Sequence, residues 1–94
     1  MNKTFPGEEE ILKKMIDTMF ELPSGTVIST VGLLDKIFGK QGWDFDTNQL
    51  FQLAIDLPPM ARKAGIRIGS PYKEPCEIGM PFVAEMIIRH RKTR

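Results

Sequence analysis

Apolar side chains recur at helical spacing in the first part of the chain. Three glutamates open residues 8–21, where carboxylates oppose the positive end of a helix dipole, and residues 22–25 (Leu-Pro-Ser-Gly) stop the pattern. A wide apolar stripe of this kind is typical of a helix that buries one face. We therefore predict a first helix over residues 8–21. Its stripe consists of Ile11, Leu12, Met15, Ile16, Met19 and Phe20.

A short β-branched run follows, and a second helical pattern begins directly after it. Residues 26–29 predict a brief strand. Ser29 or Thr30 can cap a second helix over residues 31–38, which Gly39 would end. The inner face of this helix is predicted to consist of Val31, Leu34 and Phe38.

A loop and a third helical pattern occupy the middle of the chain. Residues 39–45 predict a loop whose Trp43 and Phe45 fold onto the core. Asp46 or Thr47 can then cap a third helix. Its predicted inner stripe is Leu50, Leu53, Ala54 and Leu57, and its predicted outer face is Asn48, Gln49, Gln52 and Asp56.

Two consecutive prolines interrupt this third pattern. Pro58 and Pro59 have no N–H to donate, and Pro58 disfavours helical geometry at Leu57. Either the helix kinks there, or a short new helix begins at Pro59. Gly65 ends the helical segment in both cases.

The last third of the chain predicts a hairpin and an ambiguous terminal element. Residues 66–68 alternate as a strand, and residues 76–78 predict the returning arm. From Pro81 onward the apolar residues fit a helix, which we favour, but they also fit a strand. The helical set is Phe82, Val83, Met86, Ile87 and His90, and the strand set is Phe82, Ala84, Met86 and Ile88.

Charge divides the chain into two unlike parts. Residues 1–56 carry five Lys/Arg against nine Asp/Glu, a net charge of −4. Residues 57–94 carry eight Lys/Arg against three Asp/Glu, a net charge of +5. The overall charge of +1 therefore conceals a basic end, which indicates an anionic partner such as nucleic acid.

The length and composition predict one globular domain. The 94 residues suffice for a single modest core, with residues 1–7 and 91–94 expected to be flexible. No apolar run approaches the roughly 20 residues that span a bilayer, so we expect no membrane partner. Cys76 is the only cysteine, which excludes an internal disulfide and favours the cytoplasm.

No pattern in the chain predicts catalysis, a metal or a cofactor. Asp44, Asp46 and Asn48 begin like a calcium loop, but the required Gly and Glu are Gln49 and Ile55. The glutamates at 8–10 are the one run of adjacent carboxylates, and we expect an exposed first turn there with no pocket. Cys76 and His90 are the lone thiol and imidazole, and we expect His90 in a mobile charged tail.

The element order resembles the winged helix-turn-helix architecture. The resemblance rests on residues 26–29 as the first strand and on residues 60–68, where the third helix runs into the wing. It implies a small α+β domain with three helices, a short antiparallel hairpin or sheet, and a C-terminal helix or strand. Two features depart from that pattern. The connection over residues 39–46 exceeds the usual turn of about three to four residues, and the proline pair lies inside the presumptive recognition helix.

The resemblance implies a non-catalytic, transcription-regulator-like domain that binds double-stranded DNA. Amide side chains at the start of the third helix would read bases, and cations from the helix end and wing would contact phosphates. The implied nucleic-acid site is Asn48, Gln49, Gln52, Arg62, Lys63, Arg67 and Lys73, with Arg89, Arg91, Lys92 and Arg94 as a basic tail. A homodimer through the terminal element is a further expectation. The alternative hypothesis is a protein–protein interaction adaptor with an acidic first helix and methionine-rich faces.

Overall fold

The fold consists of three helices and a three-stranded antiparallel sheet. The computed structural model describes residues 7–40, 42–70 and 85–91. The layout is that of a small α+β, winged-helix-like domain, as predicted. In chain order the elements are α1 (Glu8–Glu21), β1 (Thr26–Ser29), α2 (Thr30–Phe38), α3 (Thr47–Ala64), β2 (Arg67–Gly69) and β3 (Glu85–Arg89).

The first helix and strand have their predicted bounds. The predicted stripe of α1 faces inward, since Leu12, Met15, Ile16 and Met19 are all buried. Leu22 ends the helix in extended geometry, and its N–H donates to the carbonyls of Thr18 and Met19. The local sequence was sufficient to predict α1, because the amphipathic stripe and the Leu-Pro-Ser-Gly stop signal define the same segment.

Helix α2 follows the predicted cap Ser29, and Val31 and Leu34, two of the three residues predicted to face inward, pack in the core. The Ser29 hydroxyl caps it by accepting from the backbone N–H of Gly32 at 3.0 Å. Leu33 and Leu34 are fully buried, whereas Phe38, which was predicted to face inward, is 36% exposed. The prediction for Phe38 is therefore wrong, because its ring at the end of α2 packs edge to face on Phe45 and stays partly in solvent.

The connection between α2 and α3 is long because it carries an aromatic cluster. Trp43 stacks on Phe45 with ring centroids 6.1 Å apart, and Phe45 meets Phe38 edge to face at 6.2 Å. Trp43 Nε1 donates to Asp35 Oδ1 at 2.7 Å. Trp43 and Phe45 pack against the core, as predicted. The extra residues thus close one side of the helical layer.

Helix α3 continues through both prolines, so the alternative of a new helix from Pro59 is wrong. Two backbone hydrogen bonds are lost at Pro58 and Pro59. Core packing offsets this loss, because Leu53, Leu57 and Ala61 are all fully buried on one face of the same helix. Gly65 ends the helix, as predicted.

The sheet order is β1-β3-β2, with β3 in the middle. The terminal segment is therefore a strand, and the helix we favoured for it is wrong within residues 85–89. Thr26 lies opposite Ile88 in the β1–β3 pair, and Ile68 lies opposite Ile88 in the β2–β3 pair. The predicted returning arm at 76–78 lies outside the described residues, and the partner observed for β2 is β3.

The core lies between the helices and one face of the sheet. Ile88 is fully buried in the middle strand, and Ile28, Ile68 and Met86 pack around it on the same face. The opposite face of the sheet is solvent-exposed, and we call it the outer face. It carries Val27, Ile87, Glu85, Arg67 and Arg89.

Candidate nucleic-acid interface

The first turn of α3 is held by one of the amides predicted to read bases. Asp46 Oδ1 accepts from the backbone N–H of Gln49 at 2.8 Å, and Gln49 Oε1 accepts from the backbone N–H of Asp46 at 3.0 Å. This reciprocal pair is a capping box, which satisfies two donors at the start of a helix. Gln49 is therefore engaged in holding the helix end.

The other two predicted amides differ from each other in environment. Gln52 Nε2 donates to Asp56 Oδ2 at 2.9 Å, one helical turn further on. Asn48 is exposed at the start of the helix. The three amides thus do not present one uniform polar surface, because two of them bond to neighbours within α3.

The last turn of α3 and the start of β2 carry three of the predicted cations, and all three are exposed. Gly65 adopts φ 104°, a left-handed conformation that favours glycine. Its N–H donates to the Arg62 carbonyl at 3.1 Å, and the N–H of Ile66 donates to the Ala61 carbonyl at 2.9 Å. These two bonds form a Schellman motif, and the buried Ile66 anchors it. The motif fixes the helix end relative to β2, so Arg62, Lys63 and Arg67 hold a defined arrangement within six residues.

A fourth cation joins them across the sheet. Arg67 lies directly opposite Arg89 in the β2–β3 register, and both are exposed on the outer face. Directly opposed side chains in an antiparallel pair have Cβ atoms about 4.5–5.5 Å apart. We call Arg62, Lys63, Arg67 and Arg89 the basic junction. Lys73, the remaining predicted site residue, lies outside the described residues.

Sequence reasoning placed Arg89 in a basic tail and missed its pairing with Arg67. The strand alternative for the terminal segment carried the available signal, since alternation puts Arg89 on the face opposite Ile88. The register itself depends on pairing between residues far apart in the chain. Glu85 is on the same outer face but at the other end of β3, away from the basic junction.

Glu8 is buried, so the predicted exposed first turn is wrong at this residue. Its side chain is 1% exposed, and neither carboxylate oxygen has a hydrogen-bond partner among the described residues. Burial first, and then the neighbouring Asp56 carboxylate, together raise the pKa of Glu8 from its ordinary value of 4.5 to about 7. Two ionised carboxylates can only accept hydrogen bonds and repel each other, so the proximity of Asp56 favours the protonated form of Glu8.

His90 is packed against the fold, contrary to the mobile tail expected from the sequence. Its Nε2 lies 2.7 Å from the Leu22 carbonyl oxygen, which can only accept, so Nε2 carries the proton. Its backbone N–H donates to the Ser24 hydroxyl at 3.1 Å, and its ring meets Phe20 at 5.5 Å. The imidazole therefore fastens the end of β3 to the turn after α1.

No family model, curated protein or solved structure matches this chain significantly. Over residues 7–40, 42–70 and 85–91, no three His, Cys, Asp or Glu side chains are grouped so that they could hold a metal ion. None of the helices in that part of the chain is both long and apolar enough to cross a bilayer.

Proposed function

We propose that this protein is a non-catalytic, winged-helix-like domain that binds double-stranded DNA through its phosphate backbone. The observation that carries the proposal is the pair of arginines placed opposite each other in the sheet, Arg67 and Arg89. Like charges directly opposite in a sheet are destabilising unless an anion or solvent compensates them. Arg62 and Lys63 are exposed in the last turn of α3, a few residues before Arg67, and we propose that they extend the same positive surface.

The state of the α3 amides favours binding without base readout. Phosphate contacts supply affinity, whereas sequence is read at base edges. Gln49 and Gln52 are engaged within α3, so a base-reading role would require breaking bonds that hold the helix. We therefore expect similar affinity for duplexes of different sequence. The proposed location is the cytoplasm, which the single cysteine favours.

Salt dependence of duplex binding tests the proposal. Fluorescence anisotropy with a labelled random-sequence duplex should give a slope of log K against log salt of about −3 to −4, because four cations each release about 0.9 counterion. Arg67→Gln and Arg89→Gln should each weaken binding and reduce the slope by about one. Lys40→Gln is the matched control. Lys40 is an exposed cation that follows the end of α2 and is not part of the basic junction.

Two results would contradict the proposal. One is the absence of duplex binding at low salt, and the other is an affinity that does not change with salt. Equal losses from Lys40→Gln and Arg67→Gln would also count against it, because the effect would then reflect total charge instead of the basic junction.

The second candidate is a protein-interaction role, and it rests on exposed apolar side chains. Ile55 is 60% exposed on α3, and Val27 is 44% exposed beside Ile87 on the outer face. Isolated exposed apolar residues are common, but Val27 and Ile87 are adjacent and lie on the terminal strand and its neighbour. We propose that a homodimer, if one forms, uses this outer face, because β1 and β2 already pair with both edges of β3. Sedimentation velocity should then show dimer for the native chain and monomer for Val27→Lys, whereas Lys40→Gln should leave the dimer intact.

A further inference from the structure

A groove between the start of α1 and the second half of α3 is lined by both charged and apolar side chains. Its volume is about 380 Å³, and it is open to solvent along one side. Glu8 and Asp56 supply the carboxylates at its base. Leu12, Pro59 and Met60 form its apolar walls. This groove is separate from the outer face of the sheet that carries Arg67 and Arg89.

The buried carboxylate at the base of this groove lacks a partner. Glu8 is almost fully buried, and both of its oxygens are without hydrogen bonds among the described residues. An ionised carboxylate removed from water is costly unless a proton or a cation compensates its charge. Asp56 faces it from α3 and adds negative charge to the same place.

The other charged groups on the groove limit which cation can enter. Glu9 on α1 and Lys63 on α3 both line it, and both are exposed. Among the described residues that line the groove, three are acidic and one, Lys63, is a cation. Glu8 and Asp56 alone give too few ligands for calcium, which takes about six to eight oxygens. Apolar walls beside two carboxylates suit a cation with an aliphatic stem.

We propose that this groove binds an aliphatic ammonium or guanidinium group, with the charged head at Glu8 and Asp56 and the methylene stem along Leu12, Pro59 and Met60. The group can belong to a free amine or to a lysine or arginine side chain of a peptide. The site goes beyond the DNA-binding proposal because it takes a ligand of the opposite charge, although Lys63 belongs both to the groove and to the basic junction.

Proton release accompanies binding, because the cation and a proton compete for the same carboxylate. The pKa of Glu8 is about 7, whereas a primary amine stays protonated up to about pH 10. The apparent affinity for the amine should therefore rise about tenfold between pH 6 and pH 8 and then level off.

Amide chemical-shift titrations of the full chain test this site. The probes are putrescine, a capped Gly-Lys-Gly tripeptide and the neutral Gly-Gln-Gly tripeptide as control. We expect saturable shifts at Glu9, Leu12 and Met60 with one or both cationic probes and none with the neutral peptide. Tighter binding of putrescine would identify a free amine as the source, and tighter binding of the peptide would identify a side chain.

Variants distinguish this site from a general attraction between charges. Glu8→Gln should weaken amine binding at least tenfold at pH 8 and abolish its pH dependence, and Asp56→Asn should weaken it as well. Glu10→Gln is the matched control in the same helical turn, since Glu10 is exposed and does not line the groove. Lys63→Gln should strengthen amine binding while it weakens DNA binding, so the two proposals can fail independently.

The proposal is overturned if neither cationic probe shifts these amides at about 10 mM and pH 8, well above ordinary millimolar affinities. It is also overturned if the neutral tripeptide produces the same shifts. Equal affinity in the native chain and in Glu8→Gln would have the same meaning, provided that both give the dispersed spectrum of a folded protein.

Discussion

Burial of the Glu8 carboxylate makes the stability of this domain depend on pH. The pKa of Glu8 is about 7 in the folded state and 4.5 as an ordinary value. Between these values the folded state binds more protons than the unfolded state, so the free energy of unfolding falls as pH rises. Each pKa unit corresponds to about 1.4 kcal/mol, which limits the total loss to about 3 kcal/mol.

Replacing Glu8 by Gln should remove this dependence. The neutral amide can donate to Asp56 at every pH, so Glu8→Gln should raise the free energy of unfolding at pH 8 by about 1–3 kcal/mol and have little effect at pH 4.5. Urea unfolding at several pH values measures both. Glu10→Gln should keep the native pH profile, and the same profile in Glu8→Gln would contradict the burial argument.

In the loop before α3, the backbone at Gly42 lies close to the backbone carbonyl of Phe38. A Cβ at this position would collide with the carbonyl group of Phe38, which is backbone and cannot rotate aside. Gly42→Ala should therefore displace the loop that holds Trp43 and destabilise the fold by about 2 kcal/mol or more. Thermal unfolding followed by Trp43 fluorescence reports it directly.

Gly69 supplies the matched control for this substitution. A Cβ there meets nothing within 4 Å. Gly69→Ala should change stability by less than about 1 kcal/mol. If both alanine variants unfold at the same temperature, the steric account of Gly42 is wrong.

At the scale of elements, α3 contains a pair of helix-breaking residues that packing overrides. Pro59 is exposed, whereas Leu57 and Ala61 on either side of it are fully buried. Pro59→Ala restores a donor without altering the core. We expect stabilisation of about 1–2 kcal/mol, since the gain in helix propensity exceeds the loss of chain rigidity.

Chemical denaturation of Pro59→Ala and Pro23→Ala separates these two effects. Pro23 lies in the turn after α1, where its carbonyl accepts from Thr26 and no helical bond is missing. Pro23→Ala should be neutral or slightly destabilising. A loss of stability in Pro59→Ala would show that the proline itself contributes to the native helix.

Elements with local signals could be predicted from the sequence, and those defined by distant partners could not. The stripe of α1, the cap at Ser29 and the stop at Gly65 each depend on neighbours within one or two turns. The run Met86-Ile87-Ile88 fits both helical and strand periods, and only its pairing with β1 and β2 decides between them.

The candidate site follows the same division. The grouping of the cations of α3 and β2 could be predicted from the sequence, because they lie within six residues of one another. The hydrogen bonding of Gln49 to Asp46 could also be predicted, since the two residues have the spacing of a capping box. The burial of Glu8 was not, because it depends on how α1 packs against α3 and brings Asp56 near.

At the scale of the whole molecule, the late strand β3 pairs with both β1 and β2 and so holds the sheet together. Ile88 is fully buried, while its neighbour Ile87 lies on the outer face. Ile88→Ala should cost about 2–4 kcal/mol, because it leaves a cavity where the helices meet the sheet. Ile87→Ala should cost about 1 kcal/mol or less.

The ratio of the losses of stability in Ile88→Ala and Ile87→Ala tests the pairing register of β3 as well as the packing of the core. Urea midpoints of the two variants, measured side by side, should differ clearly and in this order. Equal losses would be inconsistent with a strand that buries Ile88 fully and Ile87 only in part.

The central position of β3 constrains when the sheet can form during synthesis on the ribosome. The strands β1 and β2 have no contact as a pair in the sheet order, so each waits for residues 85–89 to emerge. Until then the helices of the nascent chain can pack, but β1 and β2 remain unpaired and can aggregate with other chains. Emergence of residues 85–89 from the ribosome is therefore the event that allows the native sheet to form.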